Sequence, residues 1–144
     1  MKSDNWTRLI QSSIDQSILP TVLTSAELDW PGPKIVYAND AYIELTGHSR
    51  DELIGATPRL HQGPATDRAV LDRLKVDLRA GIAFEGSTWN YRKDGTPYLL
   101  EWKAAPLRLV NGAVDYFLSI QRDVTTRLPE SVEPRPYLET SLQA

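Results

Sequence analysis

The sequence contains no cysteine, which removes disulfides, thiolate nucleophiles and thiolate metal sites together. It has two histidines. His48 and His61 stand too far apart to propose a metal site and read as surface loop residues, with His61 beside Gln62 at most an axial haem candidate. There is no basic stripe either: 16 basic side chains face 19 acidic ones, for a net charge of -3, so nucleic acid is a poor partner. Apolar runs are short against the roughly 20 residues that span a bilayer. The opening MKSDNWTRLIQ places an acid where a signal peptide carries its basic region. These absences lead to the expectation of a soluble, cytoplasmic protein that engages neither membrane nor nucleic acid. No nucleophile, base and orienting group occur together, and Asp72, Asp77, Glu85 and Asp94 form no evident catalytic pair, so an enzyme is not expected.

What is present fits one domain, since 144 residues lie inside the usual range of about 50 to 250. Residues 3–15 read as an amphipathic helix, with Trp6, Leu9, Ile10 and Ile14 recurring on one stripe. That stripe either covers the domain's own sheet or meets its copy on a second chain. Residues 21–24 and 34–37 are β-prone, separated by the turn-forming SAELDWPGP. Asn39 or Asp40 caps a short helix that Gly47 stops, and Ser49 with Glu52 forms a capping box for another over residues 50–54. Residues 56–64 form a loop or single turns. Thr66 or Asp67 then caps the longest expected helix, residues 68–80, with Val70, Leu71, Leu74 and Leu78 on one side. Three strands follow over residues 84–92, 96–109 and 113–124, joined at Asp94-Gly95 and Asn111-Gly112, both favoured pairs for tight hairpin turns. The fold class is therefore α+β, built on an antiparallel sheet of five strands. The expected organisation is an N-terminal helical cap or dimerisation segment over residues 1–19, the domain over 20–126, and a flexible or loosely docked tail over 127–144.

Strand alternation puts Leu100, Trp102 and Ala104 on one face and Phe117, Ser119 and Gln121 on another. If Asn90 joins them, the surface is apolar with two amides, which can donate and accept at once, as a planar ring bearing both a carbonyl and an N–H requires. The alternative is a filled core, with Trp102 and Phe117 packed and Gln121 bonded to backbone. Arg59, in the proline-bounded loop, and Lys75, on the long helix, are the anion candidates. Either can equally be a solvated surface charge.

In their combined order, VYANDAYIELTG, the pattern from Arg59 through Gln62-Gly63-Pro64 to Asp67, FEGSTWNYRKDGTPY and the closing IQRDVT resemble a PAS domain. Within that family they are similar to the LOV branch of flavin-binding blue-light sensors. The resemblance implies a five-stranded antiparallel sheet with a long helix over its ligand-binding face. Arg59 and Gln62 match residues that contact the flavin phosphate and ribityl chain, and Lys75 falls where a second phosphate-binding base is common. Asn90 matches an amide facing the pyrimidine edge, and Gln121 the glutamine that reorients when the flavin changes state; Phe117 lies on the same wall. Against the pattern, Thr57-Pro58 replaces the asparagine-cysteine pair, Leu100 replaces a second flavin-facing asparagine, and Trp102 is bulky for a pocket wall. The implied function is a signalling sensor that holds FMN without a cysteinyl adduct; its output is expected to pass to a separate protein or to change self-association, and the apolar area of the N-terminal helix and exposed sheet leads to the expectation of a homodimer. The rivals are a ligand-free interaction or dimerisation module and a PAS sensor of another small molecule, haem included.

Overall fold

A computed structural model of the chain describes residues 2–138. Helix α1 (Lys2–Gln16) is followed by strands β1 (Thr21–Ser25) and β2 (Ile35–Ala38), then by helices α2 (Asp40–Thr46) and α3 (Arg50–Leu53). A single 3-10 turn at Pro58–His61 leads to α4 (Arg68–Arg79), and β3 (Phe84–Tyr91), β4 (Pro97–Leu107) and β5 (Tyr116–Asp123) complete the domain. All neighbouring strands pair antiparallel in the order β2-β1-β5-β4-β3. The late hairpins β3-β4-β5 form the expected meander, and the two early strands join beside β5, so the last strand lies at the sheet's centre.

Local chemistry explains the helix limits. The Asn39 side chain accepts from the Tyr42 amide, and Gly47 closes α2 in the left-handed conformation at φ 76°, which costs glycine least. Ser49 and Glu52 form the reciprocal capping box. Of the two residues considered for α4, Asp67 is the cap, through the Ala69 amide. Thr66 instead donates to the Trp89 carbonyl and accepts from the Gly63 amide. Two expectations are corrected. The longest helix is α1, with 15 residues against 12 in α4. Asn111-Gly112 lies in a broad loop rather than a tight turn, because Asp115 reaches the Leu109 amide and Arg108 the Gly112 carbonyl, holding residues 108–115 away from the strand ladder.

The two faces of the sheet differ. Helix α4 covers one, where Leu78 packs with Phe84, Leu100, Trp102, Ala104 and Phe117. A second cluster of Val22, Ile35, Ala38, Tyr42 and Leu53 holds α2 and α3 to the early strands. Each valine, leucine, isoleucine or phenylalanine among them stabilises the fold by about 1.5–3 kcal/mol on full burial. On the outer face, Trp6, Leu9 and Ile10 of α1 border a groove with Leu118 and Ile120 of β5. The end of α1 is anchored: Ile14 is buried, Tyr37 Oη donates to Asp15 at 2.6 Å, and Asn39 Nδ2 donates to the Ile14 and Leu19 carbonyls. Trp6 and Leu9 remain 46% and 56% exposed, so the α1 stripe covers part of its own sheet and leaves apolar surface open. No described helix is long and apolar enough to cross a membrane.

Candidate functional site

Two adjoining cavities border α4, the inner one against the inner face of the sheet and the outer one against the loops over residues 28–33 and 57–62. The inner one, about 110 Å³, has Leu100, Trp102, Ala104, Phe117, Ser119 and Gln121 on its β4-β5 wall, with Asn90 and Thr88 contributed by β3. Strand register produces this grouping: Trp102 pairs with Gln121, Ala104 with Ser119, and Leu100 with Thr88. The two wall sets expected from alternation therefore share one cavity, and Asn90 joins them. The outer cavity, about 140 Å³, is lined by Arg59, Gln62, Arg68 and Lys75 along with Thr57 and Pro58. Gln62, Pro33, Pro58 and the α4 leucines border both, so the two spaces are halves of one cleft.

Each candidate residue now has surroundings. Gln121 is buried, with its amide Nε2 donating to Ser119 Oγ at 3.1 Å and its backbone N–H donating to the Pro20 carbonyl. It thus joins the cavity wall to the chain segment leaving α1. Asn90, Leu100 and Phe117 are likewise buried on that wall. Trp102 fills space as its size predicts, its ring tilted against Phe84 with centroids 4.9 Å apart. Gln62 is engaged, its Oε1 accepting from Arg68 at 3.0 Å. Arg59 stacks on Trp30, its guanidinium 4.0 Å from the ring centroid, an arrangement that fixes the cation while leaving its N–H edge available. Lys75 stands exposed at the cleft's outer rim. The inner cavity thus carries the amides and the outer one the cations.

The histidines overturn their sequence reading. His61 is 2% exposed, not a surface residue, because the 3-10 turn folds it inward against α2. Its Nε2 meets Tyr42 Oη at 2.8 Å, and the His48 ring lies 5.5 Å away, so the two histidines are neighbours. Burial, helped by His48, lowers the His61 pKa to about 3, and burial also lowers that of His48. Tyr42 is raised well above the usual phenol value by the same desolvation. Both His61 and Tyr42 line the inner cavity. Sequence reading missed them as wall residues; the available signal was Tyr42 on the apolar side of α2, while nothing local marks an inward histidine. No group of three or more His, Asp or Glu side chains able to hold a metal occurs among the described residues.

A profile of the PAS domain matches residues 25–126. The chain belongs to the PAS domain family. Over 129 residues, 90% of its length, this PAS protein is 33% identical to a blue-light-activated histidine kinase of Brucella anthropi. It spans only about a quarter of that relative, 26%. Among solved structures, the LOV domain of an Erythrobacter litoralis blue-light activated histidine kinase superposes with a TM-score of 0.69 at 26% identity, covering 76% of this chain and 99% of that one. The light-state LOV domain of the photoreceptor Aureochrome1 gives 0.69 at 29% identity, with coverages of 83% and 89%. The PAS domain here thus has a LOV-like sensor fold, in a chain without cysteine.

Proposed function

We propose that this PAS domain is a signalling sensor that holds FMN noncovalently, responds to blue light or redox state without a cysteinyl adduct, and passes its signal to a separate protein. The reading assigns no catalytic step to the chain. One observation carries it: an apolar cavity with buried Asn90 and Gln121 opens onto a space lined by Arg59, Gln62 and Lys75. In kind, these residues fit a planar ring with a phosphate tail. The amides would meet the ring's carbonyl and N–H edge, and Arg59 and Lys75 the phosphate. Bound FMN would supply blue absorption and a redox-active ring. Rotation of the Gln121 amide would exchange its donor and acceptor and reverse the bond with the Ser119 hydroxyl, which can donate as well as accept, on the strand bonded to Pro20.

Volume sets a condition on this reading. Taken together, cavities of about 110 and 140 Å³ fall below the roughly 300 Å³ at which drug-sized sites begin. Occupancy therefore requires the walls to open, and the half-buried Leu71 and Leu74 of α4 border both spaces. The same observation favours the second reading, a PAS interaction module or a sensor of a smaller ligand, with Trp102 and Leu100 completing the core. Protein from flavin-rich cells, mixed with FMN and passed through gel filtration, is expected to keep a structured blue absorption band. Loss of the band supports the second reading. Arg59→Ala is expected to weaken FMN about 10- to 100-fold, as loss of a charged hydrogen bond of about 1.5–3 kcal/mol implies. Riboflavin should change less, and equal losses for both remove the phosphate assignment.

A homodimer belongs to the same proposal. The groove of Trp6, Leu9, Leu118 and Ile120 spans helix and sheet, so a second copy can bury the same patch on both partners across a two-fold axis. Leu9→Glu, which leaves the Ile14 and Asn39 anchors intact, is expected to convert the dimer to monomer in sedimentation. Unchanged assembly places the interface elsewhere.

A further inference from the structure

We propose that residues 136–138 form a latch seated on the functional loop, so that the position of the loop and that of the C-terminal segment are set together. The loop is residues 57–64, which supply Arg59 and Gln62 to the candidate site. Tyr137 donates its backbone N–H to the Gly95 carbonyl at 2.7 Å, and its ring meets Tyr91 edge-on with centroids 5.5 Å apart. Tyr91 in turn accepts from the Ala65 amide through its hydroxyl at 3.0 Å. One phenol thus bridges the end of the loop and the latch.

Two glycines make the seat. A Cβ at Gly63 would overlap the Tyr91 ring and lie 2.9 Å from Tyr137 Cδ2. A Cβ at Gly95 would lie 2.7 Å from the Tyr137 carbonyl oxygen and 3.0 Å from Leu138 Cγ. Both positions lack a side chain where the latch comes to rest, and real Cβ contacts do not approach so closely. Beneath the latch is a cavity of about 300 Å³ whose wall includes Tyr137, Leu138, Arg59 and Gln62. Arg59 and Gln62 therefore face the candidate site on one side and the latch cavity on the other. Gly63 abuts both the Tyr91 and the Tyr137 rings, so displacement of the loop requires those rings to shift with it, because packed groups do not yield continuously. The coupling is a property of the protein itself and holds with or without FMN.

Amide hydrogen exchange tests it in both directions. In Tyr137→Ala, the amides of Gln62, Gly63 and Thr66, which are hydrogen-bonded within the loop, are expected to exchange about tenfold faster through local opening. The β5 amides should remain as in the parent. In Gly63→Ala, the Tyr137 amide is expected to lose protection by a similar factor. Unchanged loop protection in Tyr137→Ala overturns the proposal, and so does equal acceleration throughout the sheet, which would mean general destabilisation. The Tyr137→Ala arm decides the matter alone if Gly63→Ala does not fold.

Discussion

Asn39→Leu is expected to lower folding stability by about 2–4 kcal/mol, because it removes four hydrogen bonds that tie three segments together and orphans the Thr21 amide. The Asn39 Oδ1 accepts from the Thr21 and Tyr42 amides, both at 3.0 Å, and Nδ2 donates to the Ile14 and Leu19 carbonyls at 3.1 and 2.9 Å. Leucine matches the size but none of these bonds. The Thr21 amide would then lack a partner, at about 1–3 kcal/mol, while the Tyr42 amide keeps the Asn39 carbonyl, the Ile14 carbonyl the Ser17 amide and the Leu19 carbonyl the Thr21 hydroxyl. Against a typical total of about 5–15 kcal/mol, the loss is a substantial fraction of the stability. Asn39→Asp keeps the acceptor but sets a buried carboxylate against the Ile14 and Leu19 carbonyls, so its urea midpoint should also fall below the parent's. A loss below about 1 kcal/mol for Asn39→Leu would mean that water replaces the carboxamide and that α1 is held by other contacts.

The second large effect is a pH dependence centred on His61. Its folded pKa of about 3 lies below the ordinary 6.5, so the unfolded chain binds a proton that the native protein refuses. Stability is then fully present above pH 6.5 and is lost as pH falls toward 3. The slope is about 1.4 kcal/mol per unit, or roughly 2 kcal/mol between pH 6.5 and 5. His48 shifts in the same direction. Carboxylates add little over that window because most titrate lower. His61→Leu should start less stable at pH 7.5, since Tyr42 Oη loses its partner, yet its urea midpoint should fall much less between pH 7.5 and 5. Parallel declines in parent and variant would place the titrating group elsewhere.

These residues show how legible the chain was. The capping box at Ser49 and Glu52, the glycine stop at Gly47 and the α4 stripe all act within a few residues, so their effects could be read from spacing. The cavity wall was legible for the same reason. Alternation along β4 and β5 fixes which side chains point together, and antiparallel pairing then aligns Trp102 with Gln121. The broad loop around Asn111 was not legible, because Asp115 captures the Leu109 amide from six residues away and competes with the local turn preference. Nor was His61: a single 3-10 turn decides whether its ring faces water or Tyr42, and that turn is positioned by packing against α2 rather than by its own residues.

By itself, the amino-acid order determined the α+β class, the helix caps, the faces of the late strands and the absence of thiol chemistry, since each depends on composition or on interactions a few residues apart. Only the tertiary structure decided that amides and cations occupy adjoining halves of one cleft, that His48 and His61 meet, and that Tyr137 comes to rest over Gly63 and Gly95. Those outcomes join residues more than ten positions apart, and the register of the sheet and the packing of loops upon it select their partners.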